Sequence, residues 1–341
     1  MKRTSATSVI MFSLVLLLCA GTFAFAGGQQ SSSTENWPAR PITLIIPYSP
    51  GGMADLIGRM WADALNRELG ANFVVVNQPG SSGEMGTLNI VKAKPDGYTL
   101  GIMNCPDMFL SELSNPDFAK EFSTPTSVRY IAALPNTINA YFMKKNNKYG
   151  ITSWDQFLAY AKANPGKLTS TAPGGLMHRV FAVSVMKHYD IKFSPISYPG
   201  GGDAQAAFLG DHVDILSTTA GALSSMEALG AFPILWGDPV PPPSYPNIEL
   251  ANASGLILDF LGVRTTLVAP ADVPQEILDK LTDACKKIAQ DPAYGFRKRI
   301  EDLNYLYEPV FGDDLTALFT GYYNKAKNLV ETYGDEIRPN Y

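Results

Sequence analysis

Four times along this chain a β-rich apolar run passes at once into a glycine-rich turn and then into a stretch with helical character. The turns are Pro47-Tyr48-Ser49-Pro50-Gly51-Gly52, Gly80-Ser81-Ser82-Gly83, Pro173-Gly174-Gly175 and Pro199-Gly200-Gly201-Gly202. This recurrence constrains the fold more than any single motif. Strand–turn–helix units in series predict a mainly parallel sheet flanked by helices, because a parallel neighbour is reached only through a crossover. The first set of units runs through strands at Ile42 to Ile46, Phe73 to Val76 and Tyr98 to Met103. Helices fall between them at Met53 to Leu69, with Leu56, Met60 and Leu65 near one face, and at Gly86 to Ala93.

A second set follows. Strands are expected at Asn139 to Met143, Leu168 to Thr171, Pro195 to Tyr198, Val213 to Ser217 and Pro233 to Trp236. A helix starts at Ser153, with Gln156 three residues on as a capping box. The Pro-rich stretch Pro239 to Pro246 reads as a loop near a boundary. Strand Gly262 to Val268 then leads to helices at Pro274 to Ala289, Asp291 to Asp302 and Asp313 to Tyr333. Folding these back onto the first set makes lobe I of residues 38–138 plus 261–341 and lobe II of 139–260. Crossings near 138 and 261 would form a hinge with a cleft between the lobes. The alternative topology is two consecutive domains.

The N-terminus carries a separate message. Lys2 and Arg3 precede the apolar run Val9 to Ala20, and Ala24-Phe25-Ala26 is a small-x-small exit before Gly27. That order predicts a signal peptide over 1–26, export to the periplasm or extracytoplasmic face, and a flexible mature start over 27–37. Leu18 before Cys19 is unsuited to lipid attachment, which favours cleavage after Ala26. Losing Lys2 and Arg3 leaves 25 basic against 32 acidic residues, a net charge of −7. Such a balance argues against nucleic acid as a partner. Cys105 and Cys285 stand far apart outside any CxxC pattern, and no cofactor motif occurs.

The glycine turns are the candidate chemistry. Each lies between a strand's C-terminal end and a helix start, where open α/β sheets place ligands and backbone N–H groups hold anions. Candidate ligand contacts are Tyr48, Ser49, Gly51 and Gly52 in the first turn, and Ser81 and Ser82 in the second. Asn104 follows the third strand. Gly174 and Gly175 come from the third turn, and Tyr198, Gly200, Gly201 and Gly202 from the fourth. Asp55 is read as a helix-start charge rather than a contact. His178, His188 and His212 are the only histidines, and none has metal-ligand spacing; with no nucleophile elbow, an enzyme is not expected.

The opening WPARPITLIIPYSPGGMAD and the block VVVNQPGSSGEMGTLNIVKAKPDGYTLGIMN carry a further signal, with AKANPGKLTSTAPGG, SYPGGGDAQAAFLGDHVDIL and LVAPADVPQEILDKL after them in order. Together they resemble the extracytoplasmic solute receptors of tripartite tricarboxylate transporters, the Bug family. The resemblance implies a two-lobed periplasmic-binding-protein-like fold that binds a small organic anion, a carboxylate above all, as a monomer. It also implies delivery to a membrane permease of one large and one small subunit. A sensor presenting its ligand to a membrane signalling protein, or a receptor for an aromatic acid or amide, would share these features. Leu176-Met177 beside the third turn and Phe260-Leu261-Gly262 depart from the family pattern and bear on which ligand is bound.

Overall fold

The structure is a computed structural model that describes residues 36–337, apart from 125, 136–138, 174, 238–240, 252–262 and 304–306. The expected leader over 1–26, Gly174 and the expected crossings near 138 and 261 lie outside the described residues.

The strands are β1 (Ile42–Ile46), β2 (Phe73–Asn77), β3 (Thr99–Cys105), β4 (Val128–Pro135), β5 (Asn139–Lys144) and β6 (Thr169–Pro173). They continue as β7 (Ser194–Tyr198), β8 (Leu216–Thr219), β9 (Ala231–Trp236), β10 (Arg264–Pro270) and β11 (Val310–Phe311). Six of them form one sheet in the order β11-β4-β10-β3-β1-β2. β1 pairs in parallel with β2 and β3, placing Leu44 opposite Val75 and Leu100. Its interior residues are covered on both faces, which is why the run reads as continuously apolar rather than alternating. β10 lies antiparallel between β3 and β4, and β11 is antiparallel to β4, so the sheet is mixed rather than parallel throughout.

The remaining strands make a second group. β5 is antiparallel to both β8 and β9, while β6 and β7 pair in parallel. A parallel bridge from Ser170 to Ile215 joins the two pieces. β10 and β5, which run antiparallel to both of their neighbours, each follow an undescribed segment at an expected crossing.

Helix Met53–Leu69 buries Ala54, Ile57, Met60, Trp61, Ala64 and Leu65, a stripe at helical spacing, and ends on Gly70 in the left-handed conformation at φ 60. Leu56, expected on that stripe, is instead 38% exposed. With helix Gln275–Gln290 this helix covers one face of the six-stranded sheet, and Trp61 meets Phe296 with ring centroids 4.2 Å apart. Truncating a fully buried aromatic of this size to alanine costs about 3–5 kcal/mol. Helices Asp107–Ser114 and Gly312–Ile337 cover the other face through Phe109 and Phe319. Val180 and Val183 of helix Met177–Tyr189 join that same core, and Lys187 of this helix pairs with Glu336 at 2.7 Å. The expected helix over Asp291 to Asp302 is broken at Gly295, which takes φ 60, into a 3-10 turn at Pro292–Tyr294 and a helix at Phe296–Glu301.

Candidate functional site

Two of the glycine turns meet. Gly52 and Gly201 touch through their backbones, and a Cβ placed on Gly52 would stand 3.2 Å from the Gly201 amide nitrogen. A Cβ on Gly202 would fall on the Pro50 carbonyl oxygen, and one on Gly200 would stand 2.7 Å from the Ser49 amide nitrogen. Side chains at these positions would hold the turns apart. Positive φ belongs to Gly51, at 83°, whereas Gly52 is extended at φ −80 and ψ 169. What Gly52 contributes is therefore close approach rather than backbone freedom. The Asp55 carboxylate fixes the turn from within by accepting from the Gly51 amide at 3.0 Å, from Arg59 at 3.0 Å and from the Asn77 amide at 2.9 Å. Burial alone would raise the Asp55 pKa, but these donors together hold it below the ordinary carboxylate value.

Beside this contact lies a cleft of about 260 Å³. Of the residues expected from sequence, Tyr48, Gly51, Gly52, Asn104, Gly200 and Gly201 line it. The start of helix Met53–Leu69 and that of helix Gly201–Leu209 both open onto it. Such helix starts leave their first N–H groups without intrahelical partners.

Other expected residues stand behind the wall. Ser49 is buried against Gly200, and Gly202 packs under Pro50. Tyr198 packs, half-buried, on the core beneath helix Gly201–Leu209. Ser81 and Ser82 lie in a 3-10 turn at φ 44 and 54 and do not reach the lining. Their loop instead supports Tyr48, since a Cβ on Gly83 would stand 2.8 Å from its ring. The Tyr48 hydroxyl in turn accepts from the Asn104 amide at 3.3 Å. Burial, then the nearby Asp107 charge, pushes the phenol well above its usual pKa, so it stays protonated.

The third turn holds a carboxylate of the protein's own. Asp107 accepts from the Met177 amide at 2.7 Å, at the start of helix Met177–Tyr189, and a Cβ on Gly175 would fall on its carboxyl group. Burial raises the Asp107 pKa to about 7, against the pull of the Met177 and Leu176 amides.

Several lining residues escaped the sequence reading. His178 faces the cleft with Nδ1 2.9 Å from Ser217 Oγ, and burial pushes its pKa down to about 4, so the ring is neutral near neutral pH. Thr218 and Thr219 end β8, Gly221 lies in the turn that follows and Ser225 in the helix after it, a further strand-to-helix unit that has one glycine where the others have two or three. Gln205, Met53, Leu56 and Leu303 also line it, with Ala54, Pro173 and Ala222. Among the described lining residues there is no Lys, Arg, Asp or Glu. The described residues also contain no cluster of His, Cys, Asp or Glu able to hold a metal, and no helix long and apolar enough to cross a membrane.

Comparison with known proteins places this arrangement. Residues 57–334 match the tripartite tricarboxylate transporter family receptor. A UPF0065 protein from the gbd 5′ region of Cupriavidus necator is 30% identical over 274 residues, spanning 77% of this chain and 79% of its own. The periplasmic binding protein BugD superimposes with a TM-score of 0.76 at 20% identity, over 87% of this chain and 98% of BugD. MatC of Rhodopseudomonas palustris, solved with bound malate, gives 0.74 at 19% identity over 86% and 100%. Both are two-lobed α/β binding proteins, the fold expected from the glycine-turn units. With more than half its length matched, this chain belongs to the family of tripartite tricarboxylate transporter receptors, the Bug solute-binding proteins.

Proposed function

We propose that this receptor captures a small organic anion, a carboxylate, in the cleft and hands it to a membrane permease of one large and one small subunit. The observation that carries the reading is the meeting of two helix starts at the Gly52–Gly201 contact, inside a lining whose described residues include no Lys, Arg, Asp or Glu. N–H groups at helix starts are fixed partial positive charges that hold an anion without a cationic side chain. Malate bound in the structurally similar MatC supports the ligand class. The first and fourth turns belong to residues 38–138 and 139–260 respectively, so their contact is one that hinge motion about 138 and 261 would open and close. Capture by closure follows from that placement.

A thermal-shift series with mono-, di- and tricarboxylates tests the proposal. A ligand selective for the folded state, at a hundred times its Kd, stabilises by about 2.7 kcal/mol. A rise in Tm with at least one carboxylate is expected. Stabilisation by amines or neutral sugars, with none from any carboxylate, would sink the reading.

A further inference from the structure

Asp107 is a buried acid outside the cleft lining, and it ties the two groups of strands together. It opens helix Asp107–Ser114 just beyond β3 of the six-stranded sheet. Helix Met177–Tyr189 stands between β6 and β7 of the second group, 70 residues further along the chain. The Asp107 carboxyl group nevertheless accepts from the Met177 amide at 2.7 Å, and from the Leu176 amide beside it. Room for this approach comes from Gly175, where a Cβ would stand 2.4 Å from the Asp107 carboxyl carbon. Asp107 is only 3% exposed, so the bonds are made away from water, where an unmet donor is costly. Toward its other end the same helix is held by Lys187, paired with Glu336.

Both ends of this link adjoin the cleft wall. Asn104 precedes Asp107 by three residues, His178 follows Met177 directly, and both line the cleft. Tyr48, also in the lining, accepts from the Asn104 amide and feels the Asp107 charge. The Asp107–Met177 bond therefore limits how far the Asn104 and His178 walls can stand apart. Apolar packing around it is non-directional and cannot fix that spacing as narrowly as a hydrogen bond does.

We infer that Asp107 is a positioning residue that clamps the start of helix Met177–Tyr189 to the end of β3 and so sets the spacing of these two cleft walls. Linkage gives its sign with pH. Burial raises the Asp107 carboxyl to about 7 in the clamped form, above its ordinary 3.8, so the clamped form binds the proton more tightly. The clamp is full below 3.8 and weakens as pH rises through 7. Titratable groups around Asp107 are Tyr48 from the first turn, Cys105 at the end of β3 and His178 on the clamped helix. Burial pushes the first two up and His178 down to about 4, so none of the three titrates between pH 6 and 8. Charged groups on the neighbouring elements are engaged elsewhere. Arg264, in register with Cys105 on β10, donates to the Glu308 carbonyl, while Glu84 accepts from Asn115 and Glu112 from Tyr323.

Hydrogen exchange on the full-length chain, free of solute, tests the clamp at the Met177 amide. Asp107→Leu keeps the branched shape without an acceptor, whereas Asp107→Asn keeps a carbonyl oxygen that accepts. At pH 6 the Leu variant should lose protection at Met177 by about tenfold or more, and the Asn variant by less than about three-fold. Wild-type protection should fall about tenfold between pH 6 and pH 8, while that of the Asn variant stays level. Circular dichroism checks folding, and if the Leu variant does not fold, the pH comparison of the other two decides. Equal protection in the wild-type protein and a folded Leu variant, or a wild-type profile level with pH, would overturn the clamp. Either result leaves the carboxylate-receptor reading standing, because no solute enters the measurement.

Discussion

Gly52 and His178 show how single positions set the behaviour of the cleft. Gly52→Val would push a branched side chain into the Gly201 backbone, where even a Cβ would stand 3.2 Å away. The two turns would then be propped apart and the N–H groups at the helix starts separated. Each charge-assisted hydrogen bond lost costs about 1.5–3 kcal/mol, roughly tenfold or more in affinity. Asp55→Asn, by contrast, disturbs a network that ties this turn to Arg59 and to Asn77 at the end of β2, and should lower Tm more than it lowers affinity. Calorimetry and thermal denaturation of the two variants separate these effects. His178 and Asp107 act on stability through pH. The folded-state pKa of His178, about 4, lies below its ordinary 6.5, so its contribution is full above 6.5 and is lost as pH falls toward 4. The folded-state pKa of Asp107, about 7, lies above its ordinary 3.8, so its contribution is full below 3.8 and is lost as pH rises toward 7. Between about 4 and 6.5 the slopes of these two groups oppose each other. His178→Gln removes one slope. Denaturant midpoints of that variant should fall as pH rises from 4 to 7, and a level profile would refute the assignment to Asp107.

At the scale of elements, the sequence was most legible where a local signal coincided with a tertiary one. β1 and helix Met53–Leu69 were expected with the bounds observed, because an apolar run, a Gly-Gly turn and a helical stripe stand in direct succession. Ser153 is the N-cap of helix Trp154–Ala163, accepting from the Gln156 amide at 3.3 Å. The return bond of the expected capping box goes one residue further out, from the Thr152 amide to Gln156 Oε1 at 2.8 Å. Ser153→Ala should therefore cost about 1 kcal/mol, read as a lower denaturant midpoint with unchanged ligand affinity. Less legible were β4 and helix Asp107–Ser114. β4 is almost wholly buried, and a short apolar run containing Ile131-Ala132-Ala133-Leu134 is ambiguous between helix and strand by periodicity. The turn after β8 was missed because its single Gly221 lacks the glycine pair that marked the other four. Leu56 was placed with the core because spacing alone cannot tell a side chain facing the sheet from one facing a cleft. His178, Gln205 and Leu303 reach one wall only through packing between elements distant in sequence, a relation that no local pattern encodes.

The molecule as a whole carries contacts that closure would have to make and break. Besides the Gly52–Gly201 approach, helix Met177–Tyr189 shares a core with helix Gly312–Ile337 through Val183 and Leu329, and Lys187 pairs with Glu336. Asp107, next after cis-Pro106 and two residues past the end of β3, accepts from the start of that same helix. If closure accompanies capture, small-angle scattering should give a smaller radius of gyration at saturating ligand than without it. An unchanged profile with a ligand verified by calorimetry would exclude the hinge. Lys187→Ala should shift the balance toward the larger form by less than about 1 kcal/mol, since both partners of this pair are largely exposed.

The uncharged wall also bears on how fast the receptor can work. The whole chain carries a formal charge of −5, while the described cleft lining offers an arriving anion no cationic side chain. An anionic solute would meet repulsion at long range, and the helix-start dipoles would take hold only at the mouth. Screening shortens that repulsion, with a Debye length of about 10 Å at 0.1 M salt and about 3 Å at 1 M. Association measured by stopped flow should therefore accelerate as salt is added, the reverse of what an electropositive trap would show. Dissociation should stay level, because leaving this cleft separates no ion pair.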